Sequence, residues 1–289
     1  MTEPSSLLTG ENEPMSDMPT LMAVHAHPDD ESSSTGGILA RYADEGVRTV
    51  VVTCTNGEYG DATGGIKPGA KGHDPEVVAR IRRGELERAC ALLGVYRVEL
   101  LDYHDSGMAD WEYRTSTDAF CNVPIGEAAG RLVRLFEKYR PDVVVTYADD
   151  AGYDHPDHVH TTRVTMAAIE RSEIPRKAYW SVIRASSFAR FRELLVEQGV
   201  EIDFPEPNPE IVRRMRELEE RITTTIDVSR FVERKRAALQ LHASQIEESF
   251  FAKLPADAFR TIFADEDYIR VHDTTGAVVP ESDLFDGMR

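Results

Sequence analysis

Short unbroken apolar runs alternate along this chain with longer stretches of helical period. Leu21 to Val24, Val47 to Thr53, Val98 to Leu101, Val143 to Tyr147 and Ala178 to Ile183 are apolar at most positions. Strands buried on both faces of a parallel sheet read this way. Between them, Thr35 to Glu45 spaces Ile38, Leu39 and Tyr42 at helical intervals and meets Gly46, while Pro75 to Leu93 turns Val77, Val78, Ile81, Leu86, Ala89 and Leu93 inward and meets Gly94. Glycine in those places stops a helix. Ile125 to Tyr139, His158 to Arg171 and Ser186 to Gly199 continue the alternation, followed by a strand at Thr223 to Val228 and a helix at Phe231 to Ala243 with Ser229 as its expected cap. Strand, helix and strand in close succession predict βαβ units with right-handed crossovers. The expected class is α/β, with a mostly parallel sheet flanked by helices. Residues 1–19 are expected to form a disordered tail, 20–246 one domain, and 247–289, whose short elements resist placement, a smaller C-terminal extension packed on it.

The ends of two strands carry the chemistry. The run from Leu21 stops at His27, Pro28, Asp29, Asp30 and Glu31, and the run from Val143 leads into His155, Pro156, Asp157 and His158. Pro28 cannot donate to a ladder, so the acids land past the carboxyl end of the strand, where open α/β sheets bind ligands. A single His-Pro-Asp would be an ordinary turn. Two of them at strand ends make a shared site the better reading. His25 is expected to point to the opposite face from His27, as a buried, hydrogen-bonded histidine. The polar, Gly-rich stretch from Thr55 to His73 reads either as a wall of the pocket or as a surface excursion, and it lacks the GxGxxG of a dinucleotide site. RRMRELEERI, beyond a proline-rich stretch, is expected to be a solvated lid or flank.

Composition narrows the partners. With 289 residues, 41% of them apolar, the chain can bury a large core, and its net charge of −18 argues against nucleic acid and against an anionic membrane surface. Cys54, Cys90 and Cys121 share no CxxC spacing, and the first two sit in apolar surroundings. The expected compartment is a reducing cytoplasm. The acidic, proline-containing start lacks the positive and apolar regions of a signal peptide, and no apolar run approaches the roughly 18 residues of a membrane span.

Histidine and aspartate together suit zinc, and three protein ligands leave a coordination position for water. The first cluster can supply His27 and one aspartate, the second a histidine. An adjacent carboxylate can move a proton, and a protonated histidine facing a carbonyl can stabilise an oxyanion by roughly 3 kcal/mol. The inventory fits amide hydrolysis. Two other classes stay open: a two-metal phosphoesterase, and a binding protein that has lost catalysis.

With AHPDDE, the Gly-rich loop, DSGM and GYDHPDH in this order, the chain resembles the LmbE/PIG-L-like zinc N-deacetylase family from about Leu21 to Gln245. It is most similar to the mycothiol branch, which holds S-conjugate amidases and N-acetylglucosaminyl-inositol deacetylases. MAVHAHPDDESS, ARYADEG, HASQIEES and DLFDGM lean to the amidases, and DYHDSGM and YWSVIRASS to the deacetylases. The resemblance implies a Rossmann-like sheet, one Zn2+ per chain, a small amino-sugar or mycothiol-type substrate, and hydrolysis of an N-acyl bond on glucosamine. Another N-acetylglucosamine-containing metabolite is the alternative substrate. It implies further that His27, Asp30 and His158 bind zinc and that Asp29 is the general base. His155 would be an imidazolium facing the oxyanion, Asp157 would orient a histidine beside it, and Tyr153 would close over the carbonyl oxygen. Arg83 and Asp105 would hold inositol and sugar hydroxyls. Asp154 stands where the family usually has Gly or Pro, and the segments from Met108 to Cys121 and after Ile183 depart from both branches.

Overall fold

The computed structural model describes residues 18–148, 155–197, 208–247 and 254–288. The expected N-terminal tail lies almost wholly outside the described residues. Seven strands, β1 (Thr20–His25), β2 (Arg48–Thr55), β3 (Arg97–Tyr103), β4 (Val143–Tyr147), β5 (Lys177–Val182), β6 (Thr224–Asp227) and β7 (Asp265–Asp273), form one sheet in the order β3-β2-β1-β4-β5-β7-β6. The first five run parallel, and β7 is antiparallel to both of its neighbours.

Alternate residues of the same apolar run serve opposite layers. Met22 and Val24 of β1 pack with Leu132 and Phe136 of α4 (Ile125–Tyr139) and Val164 and Ala168 of α5 (Pro156–Ser172). Leu21 and Ala23 face the other way, toward α2 (Gly36–Asp44), α3 (Pro75–Leu93) and α8 (Val232–Gln240). That double burial is why the strands show no polar alternation. α3 keeps its expected bounds for local reasons. The Asp74 side chain accepts from the N–H groups of Glu76 and Val77, Pro75 begins the helix, and Gly94 ends it at φ 81°. The Ser229 cap is not formed. α8 starts after Phe231 without a side-chain cap, and the Ser229 N–H instead donates to Asp227 at 2.9 Å.

The chain runs outward from β1 through β2 to β3 and then returns to the other side of β1 as β4. That reversal puts the carboxyl ends of β1 and β4 side by side, with Leu21, Met22 and Ala23 opposite Val143, Val144 and Val145. A crevice opens at such a switch point.

The last forty residues, expected as an extension, complete the sheet. β7 fills the place between β5 and β6, and α10 (Ala256–Ile262) precedes it. Glu266 on β7 accepts from the N–H groups of Gly37 and Ile38 at 2.8 and 3.0 Å, so it caps α2, and Lys235 pairs with it at 2.7 Å. A Cβ on Gly37 would come within 2.7 Å of that carboxylate, which leaves glycine as the residue that allows the approach. Further on, the fully buried pair of Lys177 and Glu281 meets at 2.5 Å, with Tyr179, Thr224 and Arg270 also donating to the carboxylate. These partners cannot be found by periodicity, because each joins a short polar segment to a residue far away in sequence.

Removing one partner of a buried pair strands the other charge. Lys177→Met is therefore expected to lower unfolding free energy by about 3 kcal/mol, read from urea denaturation. A loss within experimental error would show that the tail is not integral to the sheet.

Candidate functional site

Each strand end leads into one of the two clusters. β1 stops at His25, and α1 (Asp30–Ser34) opens directly after Asp29. At the end of β4, Pro156 begins α5 and places His158 on its first turn. His27, Asp30 and His158 each offer one ligand atom, and these atoms lie within 4.8 Å of one another. His27 Nδ1 is 3.5 Å from Asp30, and His158 Nε2 is 3.4 Å from it. Tyr147, the last residue of β4, ties the set together: its hydroxyl donates to Asp30 at 2.7 Å and accepts from the Ala26 N–H at 2.8 Å, while its ring stacks on His158 at 4.2 Å.

Two of the three donors, Asp30 and His158, are in the charge state that a divalent cation needs, and a cation would displace the proton from the third, His27. Burial alone would push the Asp30 carboxyl up, but His158 and His27 beside it hold it well below the usual carboxylate range. Burial pushes His158 down to about 4. One ligand is thus ionised and another neutral near pH 7, the states that metal binding requires. Burial also opposes charge on His27, yet Asp105, Asp157 and Asp30 raise its pKa well above the ordinary value. Asp29, Asp30, Asp105 and Asp157 crowd one small space, and a cation there would relieve their repulsion.

A second group, His27, Asp105, His155 and Asp157, also has ligand spacing. Its acids are otherwise engaged. Asp157 accepts from the Ser106 N–H at 2.9 Å, from the Ser106 hydroxyl, and from His27 Nε2 at 3.3 Å. Asp105 accepts from the Gly107 N–H at 2.7 Å and sits 3.7 Å from His27 Nε2. A carboxylate behind one ring nitrogen fixes the orientation of a ligating imidazole. The histidine that Asp157 orients is therefore His27, from the other strand end.

His155 differs from its expected charge state. Burial, with repulsion from His27 and His158, pushes it down to about 3, so the ring is neutral near pH 7. Its Nδ1 accepts from the Asp157 N–H at 3.2 Å, which leaves the proton on Nε2. It offers the cavity a neutral N–H donor and no imidazolium.

Asp29 has the one strained backbone in the cluster, at φ 125°. Its N–H donates to Glu31 Oε2 at 3.0 Å, and Glu31 in turn pairs with the buried His242 at 2.8 Å. The surrounding bonds hold a conformation that an L-residue avoids. Burial pushes the Asp29 carboxyl up to about 6, against the pull of Arg82, which lies 3.2 Å away.

That arginine is the residue sequence reasoning missed. Arg83, expected to hold substrate, is exposed on α3 and pairs with Glu87 at 3.4 Å, away from the cavity. Arg82 is buried instead and donates to the carbonyls of Pro28 and Gly57, each at 2.7 Å. One helical step separates two opposite environments. The signal was present, because Arg82 stands four residues from both Val78 and Leu86 on the stripe that faces the sheet. Gly57, at φ 64°, has no Cβ to meet the guanidinium, where one would lie 2.4 Å from Nη1. His25 is buried as expected, with Thr35 at 2.9 Å and Tyr147 at 3.3 Å, but not by alternation. Residues two apart in a strand share a face, and the two histidines separate because the strand ends between them. Tyr153 and Asp154 lie outside the described residues.

His27, Asp29, Asp30, Arg82, Asp105, His155 and His158 line one cavity of about 830 Å³, to which the Gly-rich loop contributes Tyr59, Gly60 and Asp61. The loop is therefore a wall.

The model of the family described as PIG-L: GlcNAc-PI de-N-acetylase matches residues 22–169. The chain belongs to that family. It is 37% identical to a 1D-myo-inositol 2-acetamido-2-deoxy-alpha-D-glucopyranoside deacetylase of Acidothermus cellulolyticus, over 93% of this chain and 95% of the relative. It is 33% identical to a mycothiol S-conjugate amidase of Streptomyces coelicolor, over 95% and 99%. Among solved structures, the N,N'-diacetylchitobiose deacetylase of Pyrococcus horikoshii superposes with a TM-score of 0.58 at 20% identity, covering 88% of this chain and 84% of that one. A 4-carboxy-2-hydroxymuconate hydratase of Pseudomonas putida does so at 0.57 and 19%, covering 88% and 96%. At these identities the likeness establishes the fold, and two such different names on one fold show that the fold leaves the reaction open.

Within the PIG-L fold of this chain the two arginines make a direct comparison. Arg82→Ala should cost about 3 kcal/mol of stability, since it orphans buried carbonyls, and Arg83→Ala less than about 0.5 kcal/mol. Chemical denaturation of the pair checks the assignment.

Proposed function

We propose that this protein is a zinc-dependent amidohydrolase that cleaves the N-acyl bond of a glucosamine unit in a small glycoside of the mycothiol type. The observation that carries the reading is the meeting of His27, Asp30 and His158 within 4.8 Å in the wall of a cavity that Asp29 also lines. The names of the relatives support the same reading, since they include both a deacetylase and an amidase acting on such glycosides.

His27, Asp30 and His158 would hold the cation, and two imidazoles with one carboxylate favour zinc. Bound there, it supplies Lewis acidity and lowers the pKa of water. The chain's own residues do the rest. Asp29, tuned to about 6, is poised to take a proton from the attacking water and return it to the leaving nitrogen. Arg82 and the Glu31 bond fix where that carboxylate points. His155 directs its Nε2–H at the oxygen on which negative charge develops, a contribution of about 3 kcal/mol that needs no positive charge on the ring. Asp105 and Ser33, which line the cavity, can accept or share hydroxyl protons of the sugar. Tyr153 is assigned its role over the carbonyl oxygen by resemblance alone.

A two-metal phosphoesterase is disfavoured by the Ser106 and His27 bonds that occupy Asp157. Purified protein should carry one divalent ion per chain by elemental analysis, and Asp30→Ala should carry none. Asp29→Asn should keep the ion and lose activity by at least about a hundredfold. For the substrate, rates on N-acetylglucosaminyl-inositol and on a bimane conjugate of mycothiol are to be compared side by side. Turnover of either that stops with chelator supports the reading, and silence on both directs the search to another amino sugar.

A further inference from the structure

Between β5 and β7 the chain passes through α6 (Ala185–Glu197), α7 (Pro209–Glu219), β6 and α8, and then makes one further turn of helix, α9 (Ala243–Ile246), with His242 at its start. A helix this short has almost no stability of its own. Polar side chains hold it in place, and each reaches a different part of the surroundings of Asp29. Ser244 donates to Glu85 twice, from its N–H at 2.9 Å and from its hydroxyl at 2.6 Å, and Glu85 is buried on α3 one turn beyond Arg82. Gln245 makes a pair of bonds with the Asp61 backbone in the Gly-rich loop, accepting from its N–H at 3.2 Å and donating to its carbonyl at 2.9 Å. A Cβ on Gly60 would lie 2.4 Å from the Gln245 amide oxygen and 2.6 Å from Arg82 Nη1, so loop, arginine and α9 meet at one point.

His242 makes the third contact. It is fully buried, its Nε2 lies 2.8 Å from Glu31 Oε1 and 3.5 Å from the Ser32 hydroxyl, and its Nδ1 meets no partner among the described residues. Glu31 passes the contact on, because its other oxygen accepts from the Asp29 N–H at 3.0 Å. Asp29 is the residue held at φ 125°, and rotation toward an ordinary φ would carry that N–H away from Glu31. A carboxylate bound only to Asp29 could turn and follow it. One whose second oxygen is tied to a ring fixed in the core cannot. Stability alone does not account for the pair, since a buried ion pair is often no more stabilising than apolar side chains packed in its place. His242 does not line the cavity, so any effect on the reaction has to travel through Glu31 and Asp29.

We propose that His242 is a positioning residue for the reaction: through Glu31 it fixes the backbone of Asp29 and with it the direction of the carboxylate that moves the proton. The inference rests on the role given to Asp29 above and adds to it a residue remote from the substrate. Two variants separate this role from plain packing. In His242→Gln the amide nitrogen can take the place of Nε2 and keep the bond to Glu31, whereas in His242→Asn, one methylene shorter, it cannot reach. Lys177→Met, whose buried pair lies away from the cavity, shows what lost stability alone does. All are compared as zinc-loaded full-length protein.

On whichever glucosaminide the unaltered protein cleaves, His242→Asn should lower kcat by at least about tenfold while KM and bound metal stay within about twofold, because displacing a reacting group by about 1 Å costs on the order of a hundredfold. His242→Gln should regain most of that loss. An unchanged kcat in the asparagine variant, equal losses in the two His242 variants, a change in KM alone, a loss of bound metal, or the same loss of kcat in Lys177→Met overturns the inference and leaves the amidohydrolase standing. Hydrogen exchange at the Asp29 amide needs no substrate. It should be at least about tenfold faster in His242→Asn than in the unaltered protein, His242→Gln and Lys177→Met. Should no glucosaminide be cleaved, this measurement decides alone: faster exchange confined to the asparagine variant upholds the hold on Asp29 although the assigned chemistry has failed, and any other result overturns it. If His242→Asn does not fold, His242→Leu takes its place in every comparison.

Discussion

The parallel pairing of β1 with β4 is the constraint on which the rest depends. Leu21, Met22 and Ala23 stand opposite Val143, Val144 and Val145, and this register brings two His-Pro-Asp turns to the same height at the sheet edge. A slip of one residue would turn each side chain to the other face, and every apolar side chain of β1 would meet the wrong helix layer. The burial of both faces therefore protects the register, and the register protects the ligand geometry. Stability and chemistry are here one requirement.

Around that pair the structure balances charge at short range. Four aspartates and three histidines share a space in which, among the described residues, one guanidinium, Arg82, is the permanent cation. Their environments pull them apart in character. Asp30 is held ionised, Asp29 is raised to about 6, and His155 is kept neutral near 3. Adjacent aspartates behave differently because burial at Asp29 outweighs the pull of Arg82, whereas two imidazoles at Asp30 outweigh its burial. Divergent environments for neighbouring titratable groups are what separate a metal ligand from a proton carrier.

Much of this was legible in the sequence. The strands could be read because double burial makes them continuously apolar, and the two clusters because Pro28 and Pro156 mark strand end and helix start. What could not be read was whatever depends on a partner remote in the chain. Glu266 caps α2, Glu281 meets Lys177, and Ser106 secures Asp157, and in each case one residue of the pair looks like an ordinary surface polar group in its own segment. Arg82 and Arg83 illustrate the boundary between the two kinds of knowledge. Their helix was placed to the residue, but the stripe was read from apolar residues alone, so the charged member buried within it was passed over for its exposed neighbour. The charge on His155 failed for a related reason: its state is set by burial and by two other imidazoles, which only the folded chain brings within 4.5 to 5.5 Å of it.

The C-terminal residues follow from the same physics. A five-stranded parallel sheet ending at β5 would leave an open edge, and antiparallel β7 covers it while carrying Glu266 to the start of α2. α2 follows α1 with one residue between them, and α1 begins at Asp30. The strand added last in the chain thus anchors the segment that bears Asp30. It is also preceded by α10, whose end supplies Ile262 and Phe263 to the lining of the cavity. Among the described residues, the elements before β5 thus supply every ionisable side chain that lines the cavity, and β5 and the elements after it supply none.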